Sequence, residues 1–497
     1  MPRYRTQLVA AVVAITALLG CRTPGQEPSP TPTTPGATPR PFTVLTTDPI
    51  RVTDPAAITD ASSAVLAHNV FQRLMTADPG QSVLKPDAAR DCLFTSLTTY
   101  TCTLNEGLRF HNGHPVTSAD VKFSIERATR LNVPGSSASL LSSLRKIDTP
   151  DDRTIRFQLS RVDTQFGWAL ASPAASLVDQ GIYDADRVHD PKDPVVGSGP
   201  FAVESFTTDQ LRLHRYRGYI GRTPGRISDL AYRTVADSAT IEDAMTKGTV
   251  EVVWRGLNAA AITRLREQVQ ANPEQQTDSG YSQIELTGVR VLQLLWSPTS
   301  QARRSKPLRS AIALALQGDR TSASLVPSGV VGHTAVFPLG GKANPKVTWK
   351  NRINLSLGYD PTTPNAQDIA IQIRTRLENT GGLSVKLAPG DAGADLNLVD
   401  RKAWTATALA WLQPYLDAPL PDFADTVSAL ETEFRQTTPG PEADQLLIAL
   451  QKQTAVDLTV LPMSQSDEYL YARAGVEVSD TSYGPGWQFG LWGITGG

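Results

Sequence analysis

The stretch Glu106–Arg127, EGLRFHNGHPVTSADVKFSIER, constrains the fold more tightly than any other part of the chain. Tyr100, Cys102 and Leu104, continued by Leu108 and Phe110, alternate with polar residues and predict a half-buried strand. Asn112-Gly113 follows, a pair that tolerates positive φ and marks a tight turn. Thr117 with Asp120 three residues on fits a capping box, and Val116 with Val121 fits the hydrophobic staple across it. Val121 and Ile125 then open an apolar helical face. The sequence therefore predicts strand, tight turn and capped helix, with Cys102 in the strand.

Cys102 has one partner within reach. After Cys21 the chain holds only Cys92 and Cys102, and a strand reversal near Ser96-Leu97-Thr98 would set the two sulfurs opposite each other. A disulfide is expected in an oxidising compartment. The N-terminus points to such a compartment. Arg3 and Arg5 precede an apolar run, Leu8–Leu19, of signal-peptide length, so residues 1–20 read as a leader. Leu18-Leu19-Gly20-Cys21 resembles a bacterial lipobox, which makes Cys21 the candidate lipidation site and the cell membrane its anchor. Residues 22–41 carry seven prolines among Thr, Ser and Gly. Such a segment cannot bury a core and reads, with Cys21, as a 21–41 tether of about 3 Å reach per residue.

Beyond the tether the pattern is mixed α/β. Strands are expected at Phe42–Leu45, Thr154–Leu159, Leu211–Tyr216 and Val289–Trp296, and helices at Ser63–Leu74, Ser238–Met245 and from Pro307. The first of these helices should stop at the turn cluster Thr76–Gly80. Ile353–Tyr359, Ala366–Leu377 and Leu383–Leu387 make a βαβ unit with a parallel strand pair. Asp395–Val399 and Ala406–Trp411 read as further buried strands. Val195–Phe201 contains Gly197-Ser198-Gly199-Pro200; no Lys-Ser/Thr follows, so this is a sharp turn before a strand and not a phosphate loop.

Leu108, Arg109, Phe110, His111, Asn112, Gly113, Pro115, Thr117, Asp120 and Val121 together resemble the signature of the extracytoplasmic solute-binding proteins of peptide-type ABC importers, the oligopeptide-, dipeptide- and nickel-binding family. Gly197–Phe201, Gly248–Glu251, and Leu308, Arg309, Ala311 with Asp319-Arg320 resemble further segments of it. The resemblance implies an α/β, two-lobed periplasmic-binding-protein-like fold with hinge strands and an extra small domain. Lobe I would comprise 42–60, 191–265 and 470–497, its extra domain 61–190, and lobe II 266–469. It implies a monomer that captures peptides between its lobes and delivers them to a membrane permease driven by a separate ATPase, with no cofactor. Trp254, Arg255 and Trp296 would lie near the cleft. Trp411–Pro419 resembles the family's Trp-x-x-Asp-Tyr-x-Asp/Glu-Pro segment, whose Trp covers the ligand and whose first Asp holds a peptide ammonium. Trp411 and Tyr415 match, Pro414 stands at that Asp, and Asp417 falls three residues later. The ligand therefore either uses Asp417 or lacks a free amine. A non-peptide solute such as a metal chelate, haem or sugar stays open, as does an envelope lipoprotein with a scaffold role.

Other classes find little support. The net charge of −2 and the lack of an Arg/Lys stripe with interleaved aromatics argue against nucleic acid. His111 and His114 are three apart but straddle a glycine turn with no acidic third ligand adjacent, so no metal site is expected. No nucleophile elbow, zinc-protease helix or Walker motif occurs, so no enzyme is expected.

Overall fold

The computed structural model describes residues 40–497 apart from 78–82, 342–350, 362, 364, 402, 484–488 and 497. Residues 1–39, on which the expected leader, Cys21 and most of the expected tether fall, lie outside the described residues, as do Asp78, Pro79 and Gly80 of the turn cluster. No helix among the described residues is long and apolar enough to cross a membrane.

Thr99–Leu104 is a strand with side chains alternating between half-buried and buried. Arg109 bridges Pro115 across the turn, where Gly113 takes a φ of 89°. The helix that follows spans Ser118–Leu131, and the Asp120 carboxylate accepts from the Thr117 N–H at 2.9 Å and from its hydroxyl at 2.7 Å. Val116 and Val121 are buried on either side of this cap.

The turn is locked to the second glycine segment. The His111 N–H donates to the Gly197 carbonyl at 2.8 Å, and the Gly197 N–H donates to His111 Nδ1 at 3.3 Å. Nδ1 is thus an acceptor, so Nε2 carries the proton and donates to the Gly199 carbonyl at 3.0 Å. Both glycines are forced by close approach. The Gly199 N–H donates to the Val70 carbonyl at 2.8 Å, and a Cβ at Gly197 would lie 2.0 Å from that oxygen. The helix ending there runs over Ala61–Val70, short of the expected Leu74.

A ten-stranded mixed sheet runs through the molecule. From edge to edge its strands are Leu383–Pro389, Ile353–Tyr359, Leu396–Arg401, Tyr281–Trp296, Val460–Arg473, Val252–Trp254, Phe42–Thr46, Asp229–Thr234, Gln210–Arg215 and Phe201–Thr207. Ile353–Tyr359 and Leu383–Pro389 pair in parallel as the βαβ pattern required. Two long strands belong to both halves. Tyr281–Leu286 pairs with Arg473–Glu468, the register shifts, and Arg290–Leu295 then pairs with Ser466–Val460. The first half of this ribbon adjoins Val252–Trp254, the second adjoins Leu396–Arg401. These are the hinge strands of a two-lobed periplasmic-binding-protein fold.

Each side of the hinge has its own core. Val44, Phe201, Leu213, Tyr232 and Trp254 cluster in the first lobe; Trp296, Ile312, Leu357, Ile373 and Trp411 cluster in the second. A third cluster, containing Tyr100, Phe110, Ile125 and Phe157, fills the space under an antiparallel sheet of Ala89–Ser96, Thr99–Leu104, Thr154–Leu159 and Leu144–Asp148. Cys92 and Cys102 face each other directly in that sheet and form the expected disulfide.

The strand Thr99–Leu104 stops short of Leu108 and Phe110, which were expected to continue it, and a further expected element changes type. Ala406–Trp411 is not a strand. A helix spans Ala408–Leu416, with the Thr407 side chain accepting from the Ala410 N–H. A short apolar run has no decisive period, and the cap decided it. Pro414 sits inside this helix and cannot donate to the Ala410 carbonyl; Arg401 Nη2 does so instead at 3.0 Å.

Gly197→Ala is expected to lose at least about 3 kcal/mol of stability in urea titration, because its Cβ meets backbone that cannot yield. Burial lowers the pKa of His111 to about 4, below the 6.5 of an exposed histidine. Its neutral form therefore stabilises the fold above pH 6.5, and that contribution is lost as pH falls from 6.5 through 4. His111→Gln should be less stable at pH 7.5 and lose less across that window. Burial also lowers the pKa of His68, which both proteins share, so their difference isolates His111.

Candidate functional site

The hinge strands cross where five charged side chains meet. Asp48 follows the strand Phe42–Thr46, Arg255 follows Val252–Trp254, Arg290 and Glu468 lie on the two hinge strands, and Asp400 lies on Leu396–Arg401. Arg255 Nη1 is 2.7 Å from Asp48, its Nε is 3.0 Å from Glu468, and its Nη2 is 3.7 Å from Asp400. Arg290 grips both oxygens of Asp400, with Nε at 2.9 Å from Oδ1. Burial by itself weakens the charge on Arg255, but Asp48, Glu468 and Asp400 outweigh it and raise its pKa. Arg290 shows the same balance, with Asp400 the main support against burial.

The backbone is shaped to deliver Arg255. It has a φ of 64°, a left-handed conformation rare for a side-chain-bearing residue, and Gly256 follows at 94°. A Cβ at Gly256 would come within 2.8 Å of the Thr47 backbone nitrogen. The network forms one wall of a cavity of about 200 Å³, closed by Leu257 and Ile262 from the first lobe, Asn365 and Ile369 from the second, and Tyr469 and Tyr471 from the hinge.

The lobes also meet away from the hinge. Trp404, three residues beyond the strand Leu396–Arg401, is 6% exposed and packs on Ile58, Ala64 and Ala67 of the first lobe. Asp163 and Arg435 pair at 3.3 Å, and the Thr164 N–H donates to the Arg435 carbonyl at 2.7 Å. Gln165 and Trp168 face Thr407, Leu409 and Phe434 across two adjoining cavities of about 20 and 210 Å³.

Residues 84–362, more than half of the chain, match the bacterial extracellular solute-binding proteins, family 5, middle region. This chain is a family 5 extracellular solute-binding protein. The probable D,D-dipeptide-binding periplasmic protein DdpA of Escherichia coli K12 is 25% identical over 361 residues, 67% of each chain. The glutathione-binding protein GsiB of Salmonella typhi is 25% identical over 199 residues, 39% of this chain and 38% of its own. Among solved structures, AgaA of A. tumefaciens R10 in complex with agropinic acid superposes with a TM-score of 0.79 at 20% identity, covering 92% of this chain and 98% of its own. DppA of Helicobacter pylori in complex with the peptide STSA gives 0.77 at 18%, with the same coverage.

The family 5 protein spreads the sequence-derived site residues over several places. Arg255 lines the hinge cavity. Trp254 is 2% exposed, stacks on Phe489 at 4.8 Å and lies beneath Arg255, inside the first-lobe core. Trp296 and Trp411 are buried in the second-lobe core. Tyr415 is buried there too, its hydroxyl donating to Asp457 Oδ2 at 2.6 Å. Asp417 is exposed at the end of its helix, accepts from Gln413 Nε2 at 2.5 Å, and lines a surface depression with Arg303 and Arg304. The helix is the reason: it turns Trp411 and Tyr415 inward and leaves Asp417 outside. The tryptophan that follows the lobe's strand is Trp404, and Thr407 stands three residues after it. Sequence reasoning passed over Trp404 because Ala406–Trp411 was read as a further strand, which drew the comparison to Trp411. His111 and His114 have separate partners: His111 is bonded to Gly197 and Gly199, and His114 Nδ1 pairs with Asp179 at 2.8 Å. Among the described residues no cluster of three metal-ligating side chains occurs.

Arg255→Met removes the cation shared by Asp48, Asp400 and Glu468. A stability loss of about 3–5 kcal/mol is expected at pH 7. Urea titration of the variant and the parent at pH 7 measures it.

Proposed function

We propose that this protein is the substrate receptor of an ABC importer, held at the outer face of the membrane through Cys21 and its tether. The observation that carries the reading is the hinge cavity, whose wall draws on both lobes and on the two strands joining them. A ligand touching Asp48 or Ile262 on one side and Asn365 or Asp400 on the other would favour the closed form, and the closed form would be what a permease recognises. The helix Ala61–Val70 sends Val65, Leu66 and Val70 into the first-lobe core. We therefore assign it to that lobe with 42–60, 191–265 and 470–497, and begin the extra domain after it; the second lobe comprises 266–469.

Peptides are the proposed ligands. The names of DdpA and GsiB refer to a D,D-dipeptide and to glutathione, and DppA was solved with STSA. A second reading, a non-peptide solute, is favoured by one feature. Neither Thr407, three residues after Trp404, nor Pro414, three after Trp411, offers a carboxylate to a peptide ammonium. AgaA, solved with agropinic acid, shows this fold holding such a solute.

The full chain, purified in detergent without added ligand and then acid-denatured, is expected to release short peptides detectable by mass spectrometry. Release of another defined solute instead would establish the second reading. An empty protein that also shows no thermal shift with a panel of di- and tripeptides would refute the peptide assignment.

A further inference from the structure

The antiparallel sheet of the extra domain ends in a patch that the cleft does not use. The turn joining Ala89–Ser96 to Thr99–Leu104 lies beside the end of Thr154–Leu159, where the Leu159 N–H donates to the Thr98 carbonyl at 2.8 Å. The Ser160 N–H donates to the Ser143 carbonyl, also at 2.8 Å, and Arg161 Nη2 donates to the Ser142 hydroxyl at 3.3 Å. Three large apolar side chains are left in solvent here. Leu97, on the turn, is 76% exposed, Leu93 is 52% exposed and Phe94 38%. Ala89–Ser96, which carries two of them, is the edge strand of its sheet.

The surroundings of these side chains are basic. Leu93 stands opposite Thr101, and Thr101 opposite Arg156, a row on one face of the sheet. Arg145 and Lys146 follow Leu144, which stands opposite Leu159. Residues 92–105, 133–147 and 154–162, which build this end, contain no Asp or Glu. Lys146 pairs with Asp148. Among the described residues no carboxylate lies within ion-pair distance of Arg145, Arg156 or Arg161.

We propose that this end of the sheet is a contact for an anionic lipid surface. Apolar side chains at a tip enter the boundary between headgroups and acyl chains, and arginines around them attract anionic headgroups. The patch is a strand turn and not a groove. None of the cavities described above has a residue of 92–105 or 142–162 in its wall, which leaves no recess for the anchor side chain of a partner protein. The chain leaving this end runs to the cleft: Asp163 pairs with Arg435, and Gln165 and Trp168 line the outer cavities. A lipid contact at Leu97 would therefore keep that side of the cleft beside the membrane, where a permease lies. The inference rests on the anchorage proposed at Cys21 only for bringing the body to the membrane; the patch sets which side faces it.

The full chain, purified in detergent, is reconstituted with vesicles of phosphatidylcholine alone and of phosphatidylcholine with phosphatidylglycerol. Flotation with the neutral vesicles reads the anchorage. Hydrogen exchange at the amides of 95–99 reads the patch, with the amides pairing Ile353–Tyr359 with Leu383–Pro389 as reference. Exchange at 95–99 is expected to be about fivefold or more slower on the anionic vesicles than on the neutral ones, with the reference amides unchanged. The slowing should be lost in Leu97→Asp and in the double variant Arg145→Glu with Arg156→Glu; all three side chains are exposed, so the fold keeps its core. Equal exchange on the two kinds of vesicle, or slowing that either variant retains, overturns the proposal and leaves the anchorage standing. A chain that does not float with the neutral vesicles refutes the anchorage alone. The patch is then supported if the parent floats with the anionic vesicles and Leu97→Asp does not, and is overturned by any other result.

Discussion

The guanidinium of Arg255 is the point on which the two halves of this molecule depend. It sits within ion-pair distance of carboxylates carried by the first lobe, the second lobe and a strand common to both. Buried charges are tolerated only when paired and hydrogen-bonded. Any movement of the lobes must therefore keep these partners within reach or expose them to water. The left-handed backbone at Arg255 and the glycine behind it show the chain accepting local strain to place this one side chain. The network thus ties the two lobes to each other at the hinge.

Around this pivot the protein combines rigid and yielding contacts. The glycine segment pressed on the Val70 carbonyl and the His111 ring bonded at both nitrogens make the first lobe and its extra sheet one unit. The disulfide closes a short hairpin inside that sheet. Across the cleft the described residues show an indole in a shallow recess, the Asp163–Arg435 ion pair, and hydrogen bonds from the Thr164 N–H to the Arg435 carbonyl and from the Thr164 hydroxyl to the Thr437 carbonyl. The strong interactions lie within the lobes and at the hinge, and the weaker ones lie across the cleft.

What the sequence revealed was local. Thr117 with Asp120, Asn112-Gly113 and the Cys92/Cys102 pair act over a few residues, and their physics can be read from spacing alone. The two glycines were legible as a turn, but the carbonyl they press upon lies more than a hundred residues away and leaves no sign in their own segment. The Arg255 network was hidden for the same reason, its partners being spread from Asp48 to Glu468. The reading of Ala406–Trp411 as a strand failed for another reason. Ala406–Trp411 is apolar apart from Thr407, and such a run fits a buried strand or a buried helix equally well until its cap is recognised. Thr407 was the available signal. Pro414 weighed against a helix, and its cost is offset by Arg401, which caps the carbonyl that proline leaves open.

Asn69 gives the chain an order of assembly. Its amide donates to the Phe489 carbonyl at 2.9 Å, and its oxygen accepts from the Leu491 N–H at 2.7 Å, contacts separated by 420 and 422 residues. The extra sheet, by contrast, closes between residues 89 and 159. Loop-closure entropy favours local pairings first. A chain emerging N-terminus first would therefore complete the disulfide-bearing sheet early, while the first-lobe core waits for the last strand to arrive. Until then the Val252–Trp254 strand, paired with Phe42–Thr46 on one side, lacks its other neighbour, Val460–Arg473, and its open edge is a natural surface for a chaperone to shield.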